Sequence, residues 1–488
     1  MGVLRVKSVE QSISDTEAPE HRLRKDLTAL DLTVFGIGVI VGTGIFVLTG
    51  RVARDLAGPA VALSFVAAGI VCALAALCYA EFASTVPVAG SAYTFAFATL
   101  GELPAWIIGW DLTLEMMLGA AVVAVGWSGY LTSLLASLGT PLPSAIAGEG
   151  AVFNLPAALV VLMLTAILVI GIKLSSRFNL IIVGIKLGVI LLVVVAGLFF
   201  VKGANYSPFV PPSKVTPAVE GLSAPLIQVL FGITPVAYGV LGIFSAAAIV
   251  FFAYIGFDVV ATAAEETRDP QRDLPVGILS SLGVCTLLYV AVSLVVVGMQ
   301  PYDRLSETAP LADAFKAVGQ TWAASLISIG ALAGLTTVVM ILMLGMSRVM
   351  FAMCRDNLLP RGLARVHPKY RTPHVITIIM GVVVAALAGL VPLSTIAELV
   401  NIGTLFAFAV VSIAVVVLRR TRPDLPRSFR TPLVPLVPVL SVLACLYLML
   451  NLPVETWLRF GAWMLLGFLI YIGYGYRHSA LSEHSPER

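Results

Sequence analysis

Gly36-Ile37-Gly38-Val39-Ile40-Val41-Gly42-Thr43-Gly44 sets four glycines into nine residues of an otherwise apolar stretch. One glycine inside a helix costs about 1 kcal/mol relative to alanine, and four together let the backbone leave helical geometry. Inside a bilayer, the N–H and C=O groups released by such a break need protein partners or a lined cavity. A half-helix N-terminus offers N–H groups to an anion, and a half-helix C-terminus offers carbonyls to a cation. Close helix packing through a small-xxx-small pattern accounts for Gly38 and Gly42 equally well when the stretch is read alone.

Two further features tip the balance. Phe251-Phe252-Ala253-Tyr254-Ile255-Gly256-Phe257-Asp258 is a second apolar stretch interrupted by glycine. Between the two lies FNLIIVGIKLGVILLVVVAGLFFV, residues 178–201, long enough to cross a hydrocarbon core of roughly 30 Å. Lys186 stands in its middle. An ammonium at that depth costs on the order of 2.5–3.5 kcal/mol on insertion scales, and such charges mark a path for substrate, ion or proton. Snorkelling is the competing reading, but Lys186 is ten residues from Ser176, about 15 Å along a helix. Together these features predict a secondary transporter with its site near the bilayer midplane.

Composition agrees. The chain has 488 residues, 59% hydrophobic and 12% charged, where soluble domains carry about 25% charged residues. A net charge of +3, dispersed along the chain, excludes a nucleic-acid partner. The first 25 residues are polar and lack a cleavable leader pattern, so the first span is expected to act as signal anchor. The 5 cysteines read as small buried hydrophobes, with no disulfide framework and no metal-ligand spacing.

An all-α integral membrane protein of twelve transmembrane helices is predicted, over 28–52, 58–84, 102–134, 155–172, 176–201, 240–263, 276–299, 325–353, 374–391, 395–419, 433–451 and 457–476. Residues 202–239, with their prolines and the apolar patch Leu226 to Ile233, read as an outside loop with a surface helix. Arg355, Arg361, Arg365, Lys369 and Arg371, and then Arg419, Arg420, Arg422, Arg427 and Arg430, fall on one side, which places both termini in the cytoplasm. Helices one and six are the discontinuous ones. That placement predicts a five-plus-five inverted repeat, 28–201 and 240–419, with helices eleven and twelve appended over 433–476. The transporter domain covers 28–476, between cytoplasmic tails at 1–27 and 477–488.

An α-amino acid carries two opposite charges a bond or two apart, which suits two breaks. Near Gly42, the Thr43 and Gly44 N–H groups and the Thr43 hydroxyl are expected to take the carboxylate; carbonyls near Phe252 and Ala253, before Gly256, take the amine. Asp258 reads as the cap of the resumed half-helix rather than a proton-coupling group. Removing an ammonium from water eases the loss of its proton, so Lys186 is the expected coupling group, with the proton as coupling ion and no other cofactor or metal. Asp111 and Glu115 share one face of helix three. With Pro104, Trp106 and Trp110 nearby, Asp111 is placed at the inner interface; Glu115, deeper, is either a site acid and proton relay or a packing partner. Glu81, Arg348 and Glu398 are expected near helix ends, and Glu265-Glu266-Thr267-Arg268-Asp269-Pro270 in a solvated inside loop.

These residues carry a family resemblance. Gly38 to Phe46, Ala80-Glu81-Phe82-Ala83 to Gly90-Ser91-Ala92-Tyr93, and Gly109-Trp110-Asp111-Leu112-Thr113-Leu114-Glu115 resemble the amino acid–polyamine–organocation superfamily. Phe251 to Asp258, Ala264-Glu265-Glu266, Asp269 to Pro275, Arg355-Asp356-Asn357-Leu358-Leu359-Pro360 and Asn401-Ile402-Gly403-Thr404-Leu405 are similar to its cationic amino acid transporter branch, in a bacterial member. The resemblance runs from about residue 22 to 478. It implies the leucine-transporter-type fold and proton-linked or exchange transport of L-amino acids. By that likeness Ile40, Thr43, Gly44, Phe252, Ala253 and Ile255 line the pocket, Lys186 fills a vacant sodium position and Glu115 lies close by. Helix eight departs from it: Val338-Val339-Met340-Ile341-Leu342-Met343-Leu344 is bulky and apolar. A cationic side chain held against Leu342, the candidate pocket floor, is poorly solvated, so neutral amino acids are expected despite the branch's name.

A channel would need charge rings or a filter repeat, and an enzyme a nucleophile or metal cluster; neither pattern occurs, with His21, His367, His374, His478 and His484 all in tails or inside loops. Exchange and amino acid sensing with little net flux are the alternatives to net transport. The expected partners are the L-amino acid and the lipid bilayer, with an accessory membrane subunit left open, and the expected location is the plasma (inner) membrane.

Overall fold

The computed structural model describes residues 26–86, 91–147, 151–171, 176–216, 219–370 and 372–479. Most of the two tails, with His21 and His484, lies outside them, as do Gly90, Pro217 and Arg371. The principal helices are α1 Ala29–Ile40, α2 Val61–Thr85, α3 Glu102–Ser137, α4 Leu155–Ile170, α5 Ser176–Leu198, α6 Gly239–Val250, α7 Pro270–Met299, α8 Thr321–Arg355, α9 His374–Leu390, α10 Leu393–Thr421, α11 Leu436–Leu450 and α12 Val454–Ile470. Eight helical segments are long and apolar enough to cross a membrane, and α1, α4, α9 and α11 are shorter apolar helices.

Burial sorts the helices. The apolar window of α3 is 94% buried, against 39% for Leu180–Leu198 and 22% for Val454–His478. So α3 belongs to the core, along α8 and α10, while α5 and α12 form the rim; α7 runs along α2 and α1. On α5, Ile181, Ile185, Leu191, Val195 and Leu198 are exposed at helical spacing, and Lys186 faces the opposite way, 0% exposed. The apolar face meets lipid, which turns the ammonium inward.

The tryptophan reading needs correction. Trp106 and Trp110 pack under α12 instead of marking an interface: Trp110 stacks on Trp463 at 4.5 Å. Their indole N–H groups donate to the Gly467 and Trp463 carbonyls, each at 3.0 Å. Because α12 covers that end of α3, Asp111 is not interfacial but fully buried, and neither of its carboxylate oxygens has a hydrogen-bond partner. Glu81 is buried as well. It accepts from Arg419 at 2.8 and 2.7 Å and from the Thr431 N–H at 2.8 Å, tying α2 to the chain beyond α10. Arg348 is exposed. The patch before α6 is helical only over Leu226–Leu230, and Phe231 is 73% exposed.

The inside loop is paired rather than merely solvated. Asp26 and Leu27 N–H groups donate to the Glu266 carbonyl, each at 3.0 Å, and the Arg268 N–H to the Leu27 carbonyl at 2.9 Å. α1 then begins at a reciprocal cap, with the Thr28 N–H on Asp31 Oδ2 at 2.9 Å and the Asp31 N–H on Thr28 Oγ1 at 3.4 Å. All five cysteines are buried and unpaired.

Candidate functional site

α1 stops where the glycines accumulate. Val41 leaves helical geometry at φ −72°, ψ 92°, and the chain resumes as a wide turn over Gly44–Leu48, continuing through Thr49–Val52 and Ala53–Ala57. The break strips the carbonyls of the last turn of their intrahelical donors. Lys186 Nζ supplies the replacement, donating to the Gly38 carbonyl at 2.6 Å and the Val41 carbonyl at 3.2 Å. A cation at a helix C-terminus also opposes the negative end of the helix dipole. The lysine stem lies against Gly334 of α8, so the ammonium is held from two sides.

The second break is built differently. α6 gives way to a tight turn over Phe251–Tyr254, Ile255 is extended, and Gly256 takes φ +120°, a conformation that side chains avoid. Helical geometry of the tighter kind resumes over Asp258–Glu266. Asp258 Oδ1 accepts from the Gly256 N–H at 3.2 Å, as a capping carboxylate does. The two breaks face each other: a Cβ added to Gly44 would collide with the Ala253 backbone, and one added to Gly256 with Val39 of α1.

Tyr289 of α7 links them. Its hydroxyl, fully buried, lies 2.8 Å from the Ile40 carbonyl and 2.9 Å from the Ala253 carbonyl. With one proton for two acceptors, it serves one carbonyl of each broken helix. The sequence reading passed over this residue. The signal was a lone phenol in the middle of an apolar span, whose hydroxyl must find a partner there.

The remaining expected residues gather around these points. Ile40, Thr43, Gly44, Phe252, Ala253 and Ile255 are all buried in or beside the breaks. Thr43 packs on Gly126 of α3, and its hydroxyl has no hydrogen-bond partner. Val338 of α8 touches Gly42; Leu342, one turn further on, touches Gly119 of α3. Glu115, also on α3 and 2% exposed, has Asp258 and Asp111 as its charged neighbours, and its Oε2 is unpartnered. Lys186 therefore belongs to the first break and Glu115 to the second. Among the described residues no hydrogen bond or ion pair joins them. The site offers carbonyls, N–H groups and hydroxyls around an apolar wall, which suits a small zwitterion with an apolar side chain.

A family model described as amino acid permease matches residues 27–474, and the chain belongs to that family. It is an integral membrane transport protein, not an enzyme, as the permeases of this family are. Among its relatives, the methylthioribose transporter of Bacillus subtilis (strain 168) is 48% identical over 472 residues, 96% of this chain and 97% of that protein. The branched-chain amino acid permease BcaP of the same organism is 48% identical over 489 residues, 99% of each chain. Cationic amino acid transporter 4, vacuolar, of Arabidopsis thaliana is 38% identical over 409 residues, 83% of this chain and 65% of that one.

Proposed function

We propose that this permease moves neutral L-amino acids across the plasma membrane by alternating access, coupled to protons and independent of sodium. The observation that carries the proposal is the Lys186 ammonium on the Gly38 and Val41 carbonyls, at the point where α1 breaks. It supplies one positive charge to main-chain oxygens at a helix C-terminus, the role a bound monovalent cation would fill. Protonated, Lys186 holds Ala29–Ile40 in place. Neutral, it lacks the charge that makes those bonds strong, and the inner half-helix is released. Glu115, beside the second break, is the relay we assign to the proton.

The same proposal takes the chain as twelve spans in two inverted repeats, 28–201 and 240–419, with α11 and α12 appended and both termini cytoplasmic. Support comes from breaks in the first and sixth spans and from the main-chain pairing of residues 26–27 with 266–268, which brings the start of one broken span beside the end of the other. The preference for neutral side chains rests on Val338 and Leu342 at the α8 wall and is in line with the branched-chain permease among the relatives. Methylthioribose, named for the other bacterial relative, is the uncharged competitor to include.

Vesicles carrying the purified protein, without sodium and with an acid exterior, test the proposal. Labelled leucine is expected to accumulate, and to do so without internal counter-substrate. A need for internal substrate makes the protein an exchanger, and binding without flux makes it a sensor. Arginine or methylthioribose accumulating above leucine overturns the substrate assignment. Leu342→Ser is expected to widen acceptance toward basic amino acids.

A further inference from the structure

A second polar cavity, about 160 Å³, lies outside the two breaks and is lined by Arg51, Asp55, Ser245, Glu398, Asn451 and Glu455. Arg51 comes from the resumed half of the first span, Ser245 from α6, Glu398 from α10, and the last two from the turn between α11 and α12 and the start of α12. Its roof is built, not loose: the Leu226 N–H donates to the Leu452 carbonyl and the Val454 N–H to the Ala224 carbonyl, each at 3.0 Å. Its floor includes Ile249, whose carbonyl accepts from Asn401 Nδ2 at 2.9 Å, just before the tight turn of the sixth span. The cavity thus stands directly outside the central site.

Its charges are incompletely matched. Asp55 is held by Arg54 at 3.0 Å and Glu455 by Arg459 at 2.6 Å. Glu398, 6% exposed, accepts only from the Thr456 hydroxyl at 3.1 Å, and its nearest cation, Arg51, stays 3.9 Å away. Arg51 reaches Asp55 at 3.7 Å, and its Nη1 is buried without a partner. Ser245 Oγ and Asn451 Oδ1, on residues 2% exposed, are also unpartnered. Buried charges and polar atoms left this way are costly. One molecule with an anion at one end and an ammonium at the other would satisfy all four.

We propose that this cavity is an outer holding site for the transported α-amino acid, with the carboxylate on Arg51 Nη1 and Ser245 Oγ and the ammonium between Glu398 and Asn451 Oδ1. The proposal rests on the reading of the chain as an amino acid transporter. Equilibrium dialysis of the purified full-length protein against saturating labelled L-leucine tests it. Two molecules per chain are expected for the unchanged protein and one for Glu398→Gln. Gly44→Ala, which fills the contact between the breaks, is expected to keep the outer one. Ser245→Ala, a milder change should Glu398→Gln fail to fold, is expected to weaken the outer site about tenfold. One molecule per chain, unaffected by Glu398→Gln and Ser245→Ala, overturns the outer site and leaves the transporter reading standing. Binding of no amino acid at all overturns both.

Discussion

The two broken helices solve one problem in two ways. At the first break the orphaned groups are carbonyls at a C-terminus, and a titratable cation from another helix satisfies them. At the second, the Gly256 N–H is met by Asp258 two residues away, in a turn that only glycine adopts easily. The first break is therefore conditional on a proton carried by α5, whereas the second is written into its own segment. Tyr289 is the one group that touches both, which makes it the link between a switchable half and a fixed one.

Substitutions can break or sharpen that contrast. Lys186→Ala should have the largest effect: pH-driven uptake falls to background, and undiminished uptake would refute the conditional role of the first break. Gly256→Ala comes next, because a side chain at φ +120° against Val39 costs about 1–3 kcal/mol of backbone strain; the measurement is the thermal midpoint in detergent, expected to drop at every pH. Tyr289→Phe leaves carbonyls of both helices short of a donor, at a cost of about 1–3 kcal/mol. Its signature should be a raised KM for leucine with the pH dependence retained, and an unchanged KM would remove the linking role. The smallest change is expected for Asp258→Asn, which keeps a capping oxygen and loses no more than about 1 kcal/mol. A loss of proton coupling in that variant would mean that Asp258, rather than Lys186 alone, carries the proton.

Both breaks and the buried lysine were legible because each violates a rule of its surroundings: glycine inside a helix, and charge inside an apolar span. The face of α5 could be read too, since Ile181, Ile185, Leu191, Val195 and Leu198 leave Lys186 only one direction. What escaped was set by packing between distant segments. Asp111 looked interfacial because Trp106 and Trp110 flank it, and nothing local says that Trp463, more than 350 residues later, stacks over them. Tyr289 was missed for a related reason: a tyrosine at mid-span demands a partner, but the partners are main-chain oxygens exposed by two remote breaks. The Arg51–Glu398 cavity joins helices from both halves of the chain and has no signature in either.

The three amide bonds that join residues 26–27 to 266–268 carry one more consequence. They fasten the inner ends of the two discontinuous spans with groups that every residue except proline possesses. An alanine scan would pass over this fastening without a trace, since no side chain takes part in it. Only removal of a donor, as in Leu27→Pro, would undo it, and slowed deuterium uptake at the Leu27 and Arg268 amides would report when it is closed.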